Sequence, residues 1–135
     1  VPVAELKFFR QVNGRGQFGW VHVVAGDGSG QVTVDLDPGV EITSNGFVLS
    51  LENPEAVEWA QGAVEGCGEA LELVQQEGLG PGGWARVLSI RGATVDTCRE
   101  SVRIAALMTT WKALTGGLYP LTMAFRDDRW DVQRT

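Results

Sequence analysis

One histidine and two cysteines, Cys67 and Cys98, are all that this 135-residue chain has of the side chains that most often hold transition metals or staple small domains. That is too few for a disulfide framework or a zinc site, so no metal is expected. Each cysteine falls on an expected helix, where small thiols usually pack as core. No apolar run approaches the roughly 18 residues of a membrane span, and no basic-then-apolar leader is present; a cytoplasmic protein without a membrane role is expected. There is no Gly-x-x-x-x-Gly-Lys-Ser/Thr, which excludes a phosphate-loop nucleotide site, and no cofactor is expected. Internal repeats and low-complexity tracts are absent as well. The sharpest deficit is in positive charge: from Gly16 to Ala85 there is no Lys or Arg but there are eleven acids.

What is present is globular in character, with 44% apolar residues against 21% charged, and of a length for one ordinary core. All eleven basic residues lie outside the acidic middle, against six acids, so flanks of net charge +5 enclose it in a chain of net charge −6. The middle reads as a solvated acidic helix. In the flanks, Arg10 and Arg15 bracket a first glycine-rich turn, and Arg91 and Arg99 bracket a second. Brought together, the two turns would make a cationic tip on an acidic body, able to touch phosphate.

The first turn lies in Gly14-x-Gly16-x-x-Gly19-x-Val21. A dinucleotide fingerprint needs a helix after its glycines, but Trp20-Val21-His22-Val23-Val24 is β-branched and aromatic. A kinase glycine loop has the right strand context, yet its Val-Ala-Ile-Lys, His-Arg-Asp and Asp-Phe-Gly companions are missing.

Alternation and turn residues give the order of elements. Strands are expected over Ala4–Gln11, Trp20–Ala25 and Val32–Leu36, with turns at Asp27-Gly28-Ser29-Gly30 and Asp37-Pro38-Gly39. Phe47–Leu51 reads either as a short further strand or as an irregular lead-in to the helix. Asn53-Pro54-Glu55 starts a helix, by cap, first-turn proline and acid. Val57, Ala60, Val64, Cys67, Leu71 and Val74 form its apolar stripe. Gly62, Gly66 and Gly68 each cost roughly 1 kcal/mol relative to alanine and so imply close packing of the helix. Gly78 to Gly83, with Pro81, ends it. A strand over Trp84–Arg91, a turn over Gly92–Val95 and a Thr97/Glu100 capping box, with Asp96 as the competing cap, lead into a second helix. Its stripe is Ile104, Leu107, Met108, Trp111 and Leu114, and it stops at Gly116-Gly117. A last strand over Leu118–Phe125 is expected at a sheet edge because of Pro120. A loosely held polar tail, 126–135, follows. The fold class is α+β: a two-layer sandwich of a mixed sheet with two helices on one face.

Phe9-Arg10-Gln11-Val12-Asn13-Gly14-Arg15-Gly16-Gln17-Phe18-Gly19-Trp20-Val21 closely resembles the first-strand and glycine-loop signature of domain IV of translation elongation factor G and related ribosomal GTPases. Thr94-Val95-Asp96-Thr97-Cys98-Arg99-Glu100-Ser101 is similar to that family's Val-Asp-Ser turn and following helix. Ala56 to Leu79 is similar to its preceding helix. The resemblance covers residues 3–125, as a domain excised from a longer factor or a free-standing relative. It implies a ribosomal-protein domain-2-like fold with a left-handed βαβ crossover. It also implies a tip, Val12–Phe18 with Gly92–Asp96, that enters the decoding region of the ribosome.

On that resemblance Asn13, Gly14, Arg15, Gly16, Gln17, Arg91, Ala93, Thr94 and Asp96 form the RNA-binding tip. Arg15 and Arg91 would contact phosphates, while Asn13, Gln17 and Thr94 would supply local polar contacts. The family's His-Asp before the Val-Asp is replaced here by Ala93-Thr94, which removes a tip side chain able to hydrogen-bond RNA and points away from ordinary translocase activity. A non-catalytic ribosome-docking module is therefore expected. The alternative is a protein-interaction or structural domain that has lost RNA binding and uses the acidic helix, 54–77, as its contact face. The enzymatic alternative rests on Cys98 as a first-turn nucleophile, with His22 as its one candidate base.

Overall fold

A computed structural model describes residues 2–28, 31–80 and 82–135. Strand β1 (Val3–Val12) and strand β2 (Arg15–Asp27) form a hairpin with Val12 opposite Arg15. The connection is only Asn13-Gly14, at φ 51° and 77°. Two consecutive positive φ values make the tight primed turn that follows the twist of a hairpin, and Asn-Gly is the pair that adopts it most readily. The expected glycine loop is thus two residues long, and Gly16 and Gly19 lie inside β2.

Strand β3 (Thr33–Ser44) runs on through Asp37-Pro38-Gly39, expected as a turn. Gly39 N–H bonds the Asp37 carboxylate at 2.8 Å, and the segment becomes a bulge between Leu36 and Glu41 rather than a reversal. A second primed turn, Asn45-Gly46, leads to β4 (Phe47–Val48). Helix α1 (Pro54–Gln76) starts as expected, with the Asn53 side chain accepting from Glu55 N–H at 2.8 Å. Strand β5 (Gly83–Gly92) then enters the sheet between β2 and β3, antiparallel to the first and parallel to the second. The sheet order is β1-β2-β5-β3-β4. Of the expected turn at 27–30, Ser29 and Gly30 lie outside the described residues, as does Pro81.

Helix α2 (Arg99–Thr115) begins one residue later than expected. Cys98 is its cap, and Cys98 N–H donates to Ser101 Oγ at 2.9 Å. Thr97 instead closes the preceding turn by accepting from Ala93 N–H at 2.8 Å. Beyond Gly116, β6 (Leu121–Arg126) and β7 (Arg129–Arg134) form a separate two-stranded sheet. The expected loose tail is therefore a strand, and the expected edge strand of the main sheet is the other arm of its hairpin. The reason lies in Trp130, buried edge-on between Phe8 at 5.3 Å and Phe125 at 5.1 Å. One large aromatic is enough to order a short polar segment.

Both helices pack on one face of the sheet, and α2 is the central element, with Ser101 to Leu107 buried all round. Helix α1 turns Ala56, Trp59, Ala63, Cys67, Ala70, Leu71 and Val74 inward. The expected stripe is correct from Cys67 onward but rotated before it: Val57 is exposed, while Ala60 and Val64 are only half-buried. Trp59, the larger group, takes the inward position. The glycines decide how the helices meet. A Cβ at Gly62 would overlap the Arg99 carbonyl, and one at Gly66 the Arg103 carbonyl, so backbone lies on backbone along this crossing. Gly68 differs, with nothing nearer its missing Cβ than Val34 Cγ2 at 3.9 Å.

Gly66→Ala should consequently destabilise by about 1–3 kcal/mol through overpacking. Gly68→Ala should leave stability unchanged or raise it by up to about 1 kcal/mol, through helix propensity. Urea denaturation of the two variants measures the difference, and equal effects would contradict the crossing.

Candidate functional site

The two turns expected to form a tip lie against one another. Phe18 N–H donates to the Asp96 carbonyl at 2.7 Å, and Ser101 Oγ donates to the Phe18 carbonyl at 2.8 Å. These bonds fasten the start of β2 to the entry of α2. The spacing of the glycines follows from this contact. A Cβ at Gly16 would stand 2.7 Å from the Asp96 carboxylate, and one at Gly19 would stand 2.9 Å from the Ser101 carbonyl. At Gly19 the neighbour is backbone, and only a residue without Cβ admits α2 there; at Gly16 it is the end of the Asp96 side chain, which can turn aside. On its other side the second turn is held by Asn45 N–H, which donates to Gly92 O at 2.9 Å, and by the Ser44–Thr94 hydroxyl pair at 2.8 Å. Thr94 is thus engaged within the fold.

A cavity of about 300 Å³ opens between the turns, lined among others by Asn13, Arg15, Gln17, Asp96, Cys98 and Asp128. Its polar groups are of mixed sign. Arg15 and Asn13 in its lining are exposed, whereas Ala93 is half-buried and not part of that lining. Arg91 is not at the end of the tip. It lies on the sheet face turned away from the helices, with its guanidinium 4.7 Å from the centre of the Trp20 ring. Arg99, expected to back up the tip, is held by α1 through Glu65 at 3.0 Å and Glu58 at 3.9 Å.

The charge asymmetry of the sequence is mostly satisfied inside the molecule. Arg103, 2% exposed, donates to Glu69 at 2.5 Å, to Glu100 at 2.6 and 2.8 Å, and to the Trp130 carbonyl at 2.6 Å. Glu100 also accepts from Trp130 N–H at 2.6 Å. Burial alone would lower the Arg103 pKa, but Glu100 and Glu69 more than offset it and raise it. Arg129 reaches Glu65 and Glu69, and Arg134 reaches Glu77. Burial by itself would raise the Glu65 pKa, yet bonds from Arg99 and Arg129 bring it below its usual 4.5. For Glu69 burial prevails, with the neighbouring Glu65 charge adding to it, and the pKa is raised. Much of the acidic surface of α1 is therefore engaged, since Glu58, Glu65 and Glu69, and Glu77 at its C-terminal cap, have arginine partners. Among the described residues no carboxylate pairs with Lys7, Arg10, Arg15 or Arg91.

The pair considered for catalysis is split by the sheet. His22 projects from β2 on the face away from the helices, while Cys98 is on the helix side with its thiol 3.9 Å from Gln17 Oε1. Cys67 is fully buried, and burial pushes its thiol up to about 11 despite a 3.2 Å bond from Thr110. Among the described residues no three His, Cys, Asp or Glu side chains gather as metal ligands. Nor is any helix there long and apolar enough to cross a membrane.

Two solution measurements follow. Alkylation at pH 8 should modify Cys98 quickly and Cys67 only after unfolding; mass spectrometry showing both modified at one rate would refute the packing around Cys67. Glu65, with its folded pKa below the unfolded one, contributes stability fully above about pH 4.5, and that contribution is lost as pH falls through the folded value. Glu65→Gln should therefore flatten the loss of stability below pH 4.5, read as melting temperature against pH. An unchanged slope would remove Glu65 from the network.

No protein-family model matches the chain, and no curated protein does. Among solved structures, the crystal structure of a protein from Thermus thermophilus matches 86% of this chain with a TM-score of 0.58 and 24% sequence identity. The chain spans 16% of that protein's length. The likeness is one of fold: the α+β sandwich recurs as a segment of a much longer protein.

Proposed function

We propose that this chain is a non-catalytic translation-factor module that docks on the ribosome near the decoding site through its tip. The observation that carries the reading is the bond from Phe18 N–H to the Asp96 carbonyl, which joins two motif segments almost eighty residues apart at one end of the sheet. Those are the segments in which the chain resembles domain IV of elongation factor G. The exposed Arg15, directly after the two-residue turn at the start of β2 and without an ion-pair partner among the described residues, is the tip cation placed to meet a phosphate. Asn13 and Gln17 stand beside it as polar contacts. Thr94, bonded to Ser44, shapes the second turn rather than contacting RNA, and Arg91 contributes from the flank.

The protein-interaction reading also has an observation in its favour, on an apolar edge of the acidic helix rather than on its row of glutamates. A mostly apolar groove of about 600 Å³ lies between α1 and β3, lined by Leu36, Ile42, Leu51, Val57 and Val64 among others.

Arg15→Glu should lower co-sedimentation with purified ribosomes by about tenfold, equivalent to roughly 1.4 kcal/mol. It should also flatten the plot of log affinity against log salt by about one unit. Lys112→Glu, in the last turn of α2 at the opposite end, is the control and should change neither. Association indifferent to Arg15 but lost on Val57→Glu would transfer the function to the groove.

A further inference from the structure

The helices and the β6–β7 hairpin cover one side of the main sheet; the other side carries a pattern that the tip does not use. Because side chains alternate along a strand, Gly19 and Val21 face α2 while Phe18, Trp20 and His22 face outward. The register then fixes the rows on this open face. Phe9 is opposite Phe18 in one row, with the Gln11–Gly16 pair between it and the tip; Lys7, Trp20 and Arg91 are neighbours in the next. Trp20 has a cation on each side, Lys7 Nζ at 5.3 Å from its ring centre and Arg91 Cζ at 4.7 Å. Phe9 is 43% exposed, and none of these three aromatics belongs to the core formed among the described residues. In the following row Glu5 and Glu41 flank His22 and Ser89, so the patch ends in negative charge on the side away from the tip.

We infer that this open face binds a short single-stranded RNA segment, its bases stacked on Phe9, Phe18 and Trp20 and its phosphates met by Lys7 and Arg91. Aromatic side chains spread over a sheet and flanked by cations suit unstacked bases, which every sequence provides. The occupant is chosen by charge. Lys7 and Arg91 are cations without acidic partners among the described residues, in a protein whose other arginines are largely paired, and they call for a polyanion with flat apolar groups. The row of Glu5 and Glu41 limits its length. Successive rows are about 7 Å apart, so the two rows hold roughly two to three nucleotides. The inference deepens the ribosome-docking reading and rests on it for the choice of RNA as the polyanion.

The test uses the whole chain and a labelled six-nucleotide oligouridylate followed by fluorescence polarisation at low salt. The Lys7→Glu/Arg91→Glu double variant should weaken binding at least tenfold and Phe9→Ala about fivefold or more, with circular dichroism verifying that each remains folded. As a measurement free of any disruptive change, the oligonucleotide should quench wild-type tryptophan fluorescence. The quench should disappear in Trp20→Phe, which keeps a stacking ring, and persist in Trp84→Phe. Absent binding, or binding equal in wild type and the face variants, would overturn the inference. So would polyglutamate competing as well as RNA, which would assign the patch to an acidic polypeptide. Ribosome co-sedimentation run on the same variants separates the two readings: loss with Arg15→Glu but not with the face variants would leave tip docking standing and end the inference about the face.

Discussion

The approach of α1 to α2 at Gly62 and Gly66 sets the position of nearly everything else. With no Cβ at either place, the helices close until one backbone lies on the carbonyls of Arg99 and Arg103 of the other. At that separation the long side chains at the same two positions of α2 cannot lie between the helices and must leave along their edges. Arg99 therefore extends along α1 to Glu58 and Glu65, and Arg103 turns toward Glu69, Glu100 and the backbone of Trp130. The last of these bonds holds β7, which brings Trp130 onto Phe8 and closes the far side of the core. A glycine spacing in one helix thus orders a hairpin more than sixty residues later in the chain.

The same geometry accounts for the segregation of charge along the sequence. An acidic middle flanked by basic segments looks like a signature of partners, but folding lays much of the basic flanks on the acidic middle. Arg99 and Arg103 of α2 and Arg129 of β7 reach glutamates of α1, and Arg134 of β7 reaches Glu77 at its C-terminal cap. Arg103 is the case with most at stake. A buried guanidinium is stable only when its donors are satisfied, and removing one partner from such a cluster typically costs about 3–5 kcal/mol. Here a backbone carbonyl and two carboxylates satisfy them, while the exposed pairs around the cluster contribute little individually. The cluster is better described as fixing which helix and hairpin edges meet than as a large net source of stability.

Local rules make much of this legible in the chain. Asn53-Pro54-Glu55 specifies a helix start, alternation specifies β1, β2 and β5, and the helix glycines point to a tight crossing. What cannot be read is whatever a distant partner decides. Asp37-Pro38-Gly39 has turn chemistry, yet pairing with β5 carries β3 through it as a bulge. The Thr97/Glu100 spacing satisfies a capping box, but Thr97 is bound to Ala93 and Glu100 to Arg103, so the cap shifts to Cys98. The polar tail gives no local sign of its strand, because a single tryptophan has no periodicity. At the candidate tip, the nearness of the two turns can be expected, but the diversion of Arg99 to α1 and of Arg91 to the open face depends on side-chain partners that spacing does not reveal.

The cations left over after folding give the remaining step. Once the arginines that meet glutamates and aspartates are set aside, Lys7, Arg10, Arg15 and Arg91 remain at one end of the molecule, with Lys112 alone at the other. Lys7 and Arg91 lie on the open face of the sheet, while Arg10 and Arg15, in register with Gln17 and Val12, lie on its helix side next to the primed turn at Asn13-Gly14. None has an acidic partner among the described residues, and aromatic rings lie around Lys7 and Arg91 on an uncovered surface. A protein of net charge −6 repels a polyanion over most of its surface. Any contact with RNA is then confined by electrostatics to this end, and the body imposes an orientation, tip first with the acidic helix held away. On the proposed reading, weak affinity and a defined direction of approach would have the same origin, which would suit a module delivered to its site by a larger assembly better than one that must find that site alone.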